Sequence, residues 1–214
     1  MCGKTPIGTK ARPEATRCAG ASAFALVELV VVLALMLVLY VMLYAPGTRT
    51  RQTRLKAVCA ANLRQVYVGL QTYAGDWRGA LPVVTNAATS EIPLSQLIPR
   101  YTTGSQFFIC PGSGDKALPD ATPFANRRIS YAYYMGRSLA DAPAAPVLSD
   151  EQVNTAAKRA GDWVFSPSGK PPGNNHRQYG GNVLFGGGAV RGSPAQAAFD
   201  LPMSPPVVLL NPRP

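Results

Sequence analysis

Histidine occurs once in this 214-residue chain, and acidic residues number only 11 against 21 Lys and Arg. A lone histidine leaves room for one Ser-His-Asp arrangement at most: His176 with a nearby serine and Asp150 or Asp162. No Gly-x-Ser-x-Gly elbow, phosphate loop or His-Glu-x-x-His helix is present to support catalysis. The segment Asn174-Asn175-His176-Arg177 reads as a polar turn leading into a strand, so the chain is expected not to be an enzyme. Cysteine is also scarce, with four residues. Cys59, Cys110 and His176 lack the short ligand spacing of a metal site, and neither a metal nor any other cofactor is expected. A helix-turn-helix, a zinc knuckle, an RNA-binding aromatic motif and internal repeats are all missing.

What the chain does have is a 22-residue apolar run over residues 24–45, interrupted only by Glu28. A helix of that length is roughly 33 Å long, enough to cross a bilayer core. A carboxylate costs about 3 kcal/mol at the centre of such a helix and less toward the interface. Its retention points to a positive partner; the alternative is a carboxylate snorkelling or protonated near the interface. Ahead of the run, Lys4, Lys10, Arg12 and Arg17 face a single acid, Glu14. After it come Arg49, Arg51, Arg54, Lys56 and Arg64, which read as a solvated, headgroup-facing collar. With basic residues on both flanks, charge alone does not orient the segment. Three other N-terminal readings fit less well. Ala21-Ser22-Ala23 has the look of a secretory cleavage site but precedes the apolar run. Neither Cys2 nor Cys18 follows a hydrophobic segment, as a lipoprotein would require. An unprocessed membrane anchor remains open.

Beyond the run, Leu55, Cys59, Leu63, Val66, Leu70, Tyr73 and Trp77 recur at three- and four-residue steps, predicting an amphipathic helix from Thr50 to about Trp77. Pro46 and Gly47 predict a break between it and the apolar helix. Gly75-Asp76-Trp77-Arg78-Gly79 ends it. The remainder is rich in Gly, Pro, Ser and Asn. Short apolar pieces at 105–110, 129–135, 162–165 and 182–185 predict strands or turns of a small antiparallel sheet, and 90–99 a short helix. Tyr131, Tyr133 and Tyr134 are candidates for an aromatic surface, though alternation along a strand makes at least one of them core. Prolines 202, 205, 206, 212 and 214 predict an extended tail around an apolar patch at 207–210. The expected organisation is a basic leader (1–23), an apolar helix (24–45), an amphipathic helix (46–77), a globular head (78–199) and a proline-rich tail (200–214). The fold class is α+β: a long N-terminal helix packed on a small antiparallel sheet.

Phe24-Ala25-Leu26-Val27-Glu28-Leu29-Val30-Val31-Val32, behind a short basic leader, resembles the class III signal of type IV prepilins and type II secretion pseudopilins. A second resemblance runs through the head, to pilin-like proteins abundant in Planctomycetes and Verrucomicrobia. It rests on Cys59-Ala60-Ala61-Asn62-Leu63-Arg64-Gln65, Gly69-Leu70, Tyr73-Ala74-Gly75-Asp76 and Gly79-Ala80-Leu81-Pro82. Phe108-Ile109-Cys110-Pro111, Ser130-Tyr131-Ala132-Tyr133, Asn175-His176-Arg177 and Gly180-Gly181-Asn182-Val183-Leu184-Phe185 complete it. The chain departs from the family in two places. Ala23 stands where a Gly usually precedes the cut, and Gly187 and Ala189 stand where relatives carry Asp and His or Ser.

The resemblance implies a pilin-like fold and a structural role. A prepilin peptidase would cut between Ala23 and Phe24 and methylate the new amine. The Phe24 amine and Glu28 would then pair between neighbouring pilin subunits in a filament core. The leader would lie in the cytoplasm, the helix in the inner membrane and the head in the periplasm, or at the cell surface after assembly. Removal of the leader takes four basic residues and one acid, leaving a charge of about +7 from +10. Nucleic acid stays a secondary partner, as some pilins bind DNA. On the oxidising side, Cys59 and Cys110 have two alternatives: a disulfide across about 50 residues, worth around 4 kcal/mol, or two buried thiols that never meet. The alternative function is a membrane-anchored envelope binding protein that does not polymerise.

Overall fold

Residues 22–44 contain neither glycine nor proline and form one uninterrupted helix, α1 (Ser22–Tyr44). The structure is a computed structural model and describes residues 22–44, 47–102, 104–116 and 122–214. The expected leader lies outside the described residues except for Ser22 and Ala23, which open α1. The expected break at Pro46 also lies outside them. From Leu26 to Leu43 every side chain of α1 is exposed. Among the described residues, α1 is the one helix long and apolar enough to cross a membrane.

Gly47–Pro214 forms a separate compact unit. It begins with α2 (Thr48–Asp76), whose 29 residues include no proline. The three- and four-residue spacing places Cys59, Leu63, Val66, Leu70 and Tyr73 on one buried face. Burial of a side chain such as Leu63 or Leu70 contributes about 1.5–3 kcal/mol. Trp77 departs from the expected stripe: it is 58% exposed and stacks on Tyr73 outside the core, with ring centroids 5.6 Å apart. The reason is the helix end itself. Arg78 takes a left-handed φ of 54°, and the Gly79 N–H returns to the Ala74 carbonyl at 2.7 Å, closing the last turn before Trp77 can reach inward.

A five-stranded antiparallel sheet lies against α2, in the order β4-β3-β2-β1-β5. The strands are β1 (Tyr131–Met135), β2 (Pro146–Asp150), β3 (Gly181–Phe185), β4 (Val190–Ser193) and β5 (Val208–Leu210). The protein is therefore α+β. The pieces at 129–135 and 182–185 are strands, and 90–99 holds α3 (Glu91–Leu94) with a 3-10 turn at Ser95–Leu97. Residues 105–110 take the turn alternative and not the strand. They form a 3-10 turn, Ser105–Phe108, that packs Phe108 under α2. Residues 162–165 contribute only an isolated bridge from Trp163 to Gln196. The expected tail is part of the head, because its apolar patch becomes β5 and pairs with β1 at the sheet edge.

Alternation divides the sheet. Tyr131, Tyr133, Leu148 and Leu184 join the core under α2. Ala132 and Tyr134 pack with Leu209 on the opposite face, where Val183 and Phe185 pack with Val164 and Phe165. All three tyrosines of β1 are at most 1% exposed, so they form core and not an aromatic binding surface.

Candidate functional site

β2 is central in the sheet and ends on Asp150, two residues after Leu148 and so on the same face, toward α2. Its register partner is Tyr131, the first residue of β1. Cys59 sits on the buried face of α2 above this pair. Cys110 follows the 3-10 turn at Ser105–Phe108, and His176 lies in the turn before β3. The four side chains, from four separate segments, meet with their ligand-type atoms all within 4.8 Å of one another. Each is 0% exposed.

The contacts are specific. The Cys59 thiol donates to Asp150 Oδ1 at 3.0 Å and lies 3.2 Å from the Tyr131 hydroxyl. Cys110 Sγ lies 3.3 Å from His176 Nε2, and Asp150 Oδ2 lies 3.4 Å from the same nitrogen. A surrounding layer holds these groups in place. Asn175 Nδ2 donates to Asp150 Oδ1 at 3.1 Å, and the Asn182 backbone N–H donates to Oδ2 at 2.7 Å. The Gly112 N–H points to Cys110 Sγ at 3.4 Å, and the Cys110 N–H donates to Ser130 Oγ at 2.9 Å. A side chain at Gly112 would place its Cβ 2.6 Å from the Asn175 carbonyl and into the His176 ring, so only glycine fits there.

Burial works against charge in this cluster, and the neighbours decide its protonation. For His176 burial opposes the cation, but Asp150 and Cys110 outweigh it and push the pKa up to about 9. For Asp150 burial favours the neutral acid, while His176, Cys59 and Asn175 hold the carboxyl below its usual range. Burial, with the neighbouring Cys110 and Asp150, pushes the Cys59 thiol up. At Cys110 burial is overcome by hydrogen bonds from Cys59 and His176, which pull its thiol down. The result is a buried carboxylate–imidazolium pair flanked by two sulfurs.

This geometry is not that of a nucleophilic relay. In a Cys-His-Asp triad the acid and the nucleophile engage opposite ring nitrogens. Here Cys110 and Asp150 both face Nε2, while Nδ1 has no hydrogen-bond partner. The atoms converge on a point instead of forming a chain.

The residues singled out in the sequence are distributed as follows. Ala23 and Phe24 fall in the first turn of α1, and Glu28 is exposed on that helix. Cys59 and Cys110 come together as free thiols. The expectation of no metal rested on the absence of closely spaced ligands. The fold supplies a four-residue donor set without any such spacing, and Asp150 completes it. Asp162 is elsewhere, accepting from the Arg159 N–H at 2.7 Å. Lys56 leaves the basic collar: its ammonium donates to the carbonyls of Tyr179 and Ser193 at 3.2 and 3.1 Å, pinning α2 to the sheet edge. Burial pulls its pKa down against the attraction of Asp150 and Cys59. No family model, curated protein or solved structure matches this chain.

Proposed function

We propose that the chain is a pilin-like or pseudopilin-like structural subunit that assembles through its N-terminal helix. The observation that carries this reading is α1: 23 residues, exposed and apolar on every described face, with Glu28 as their one ionisable acid. Such a helix has to be covered by lipid or by other helices. In the membrane it anchors the chain, with the head in the periplasm. In a filament core it packs against the same helix of like or related subunits. Prepilin peptidase releases and methylates the Phe24 amine, which then pairs with Glu28 of a neighbour. Burying either charge alone is costly, so the pair sets the register of one subunit against the next.

The second half of the molecule suits this role. An amphipathic helix backed by an antiparallel sheet makes a rigid head that a filament can display. Among the described residues, the cluster of Cys59, Cys110, Asp150 and His176 is wholly buried, and Cys110 and Asp150 both face one nitrogen of His176, which supports a structural role over catalysis.

The test is the N-terminal peptide mass of the membrane-extracted protein from cells containing a prepilin peptidase. A chain beginning at N-methylated Phe24 is the expected result. A chain retaining its leader overturns processing and leaves a fixed anchor, while a cut beyond Ala45 overturns both in favour of a released head.

A further inference from the structure

We propose that Cys59, Cys110, Asp150 and His176 form a closed, structural binding site for a divalent cation of the zinc class. The four donor atoms lie within 4.8 Å of one another; Cys59 Sγ is 3.0 Å from Asp150 Oδ1, and His176 Nε2 is 3.3 Å from Cys110 Sγ and 3.4 Å from Asp150 Oδ2. Metal–ligand bonds of about 2.0–2.3 Å in a tetrahedron require donor–donor edges of about 3.3–3.8 Å. The two separations at His176 already match the required edges, and the widest, at up to 4.8 Å, closes by about 1 Å when an ion is admitted. Two thiolates, one imidazole and one carboxylate form a donor set that suits zinc and selects against magnesium or calcium.

The supporting layer matches what a metal site needs. Asp150 is oriented by Asn175 and the Asn182 N–H, and Cys110 by the Gly112 N–H. Tyr131 is placed to donate to Cys59. His176 turns Nε2 inward, toward both Cys110 and Asp150; its buried Nδ1 has no protein partner and is the one position where this layer is incomplete. The bound set carries one net negative charge, and the part-buried Lys56 ammonium lies close enough to offset it. Complete burial leaves no open coordination position, which marks the site as structural.

Binding would replace the thiol protons and the imidazolium proton, releasing them to solvent, with no change of oxidation state. The ion would tie α2, the turn after Phe108, the end of β2 and the turn before β3 to one centre. Because each ligand comes from a different segment, loading is coupled to folding of the head. A disulfide between Cys59 and Cys110 is the competing use of the same sulfurs. It would remove both sulfurs as partners and leave His176 with Asp150, which keeps its bonds from Asn175 and Asn182.

This inference is independent of filament assembly, since it can be read on detergent-solubilised monomers. The experiment uses the full chain with Cys2→Ser and Cys18→Ser, so that only Cys59 and Cys110 carry thiols. Protein isolated from its membrane is assayed for zinc and peptide-mapped without reduction. It is then stripped with a chelator under reductant and titrated with Co²⁺. The expected result is about one metal per chain, with tetrahedral Co²⁺ bands and thiolate-to-cobalt charge transfer. The added Cys59→Ser/Cys110→Ser pair abolishes that charge transfer, and chelation of the otherwise unaltered head lowers its melting temperature by on the order of 10 °C. Failure of the reduced, folded protein to bind Co²⁺ overturns the proposal. So does binding without thiolate charge transfer, or a Cys59–Cys110 disulfide in the protein as isolated.

Discussion

Asp150 and His176 form a fully buried ion pair, with Oδ2 3.4 Å from Nε2. Removing one partner of such a pair leaves the other charge uncompensated, at about 3–5 kcal/mol. In chelator-treated protein, Asp150→Asn is expected to destabilise the head by that amount, measured by denaturant unfolding. Asp150→Asn combined with His176→Gln should cost less than the sum of the two single changes, because neither charge then remains. Strict additivity would show that the two groups do not interact.

The contrast between α2 and this pair explains what the sequence could reveal. The stripe from Cys59 to Tyr73 was legible because helical periodicity is local, and one face of α2 is buried over its length. β3 was legible for the same reason, with Val183, Leu184 and Phe185 bounded by glycines. β2 is not legible because it opens on Pro146, and proline is tolerated in a sheet only at such positions as the first residue of a strand. Asp150 is legible only as a possible acid beside His176, and β2 is what brings it there. The cluster was invisible to spacing rules, since its ligands lie far apart in sequence and meet only through tertiary packing. Each still left a local trace: Cys59 within the buried stripe, Cys110 before Pro-Gly, His176 after two asparagines. No local pattern could say that these traces converge. Trp77 failed in the opposite direction, fitting the helical period but falling just past the turn that ends it.

The β3–β4 turn clamps α2 through one aromatic ring. The Tyr67 hydroxyl donates to the Gly186 carbonyl, and Gly188 has a φ of 80°. A Cβ at Gly188 would approach Tyr67 Cε1 to 2.8 Å. Gly188→Ala is therefore expected to destabilise the head by about 1–3 kcal/mol, from backbone strain and this contact together. In a Tyr67→Leu background the same change should cost less, because the ring is gone while the backbone strain remains. Equal cost in both backgrounds would assign the whole effect to φ. Thermal unfolding of the four proteins distinguishes these outcomes.

β1 carries an alkaline limit to stability. Burial raises the pKa of Tyr134 to about 12, against Gln152 and Arg137, which lower it. Tyr131 and Tyr133 are also raised by burial, with further contributions from neighbouring Cys59 and Tyr73 respectively. In the unfolded chain each phenol ionises at its ordinary value of about 10. The folded state resists that ionisation, so stability from these groups is intact below pH 10 and falls as pH rises above it. The slope approaches about 1.4 kcal/mol per pH unit for each tyrosine. Phenolate absorbance from the three tyrosines of β1 should rise only together with loss of the circular dichroism of the fold. A single step near pH 10 with the fold intact would mean that the β1 hydroxyls are reached by solvent.

Glu28 offers the sharpest separation between anchoring and assembly. Within a bilayer the carboxylate is a burden of up to about 3 kcal/mol, reduced near the interface. Glu28→Ala should therefore leave membrane insertion unchanged or improved. The head, which belongs to a separate compact unit, should melt at the same temperature. Filament incorporation should behave differently, because a neighbour's Phe24 amine would lose its counter-charge inside an apolar core. At about 3–5 kcal/mol for an unpaired buried charge, the assembled fraction falls more than about 100-fold. The measurement is the ratio of sheared-filament to membrane-bound protein, with the wild-type and variant chains expressed at matched levels. Equal ratios would remove Glu28 from the assembly contact and leave α1 as an anchor alone.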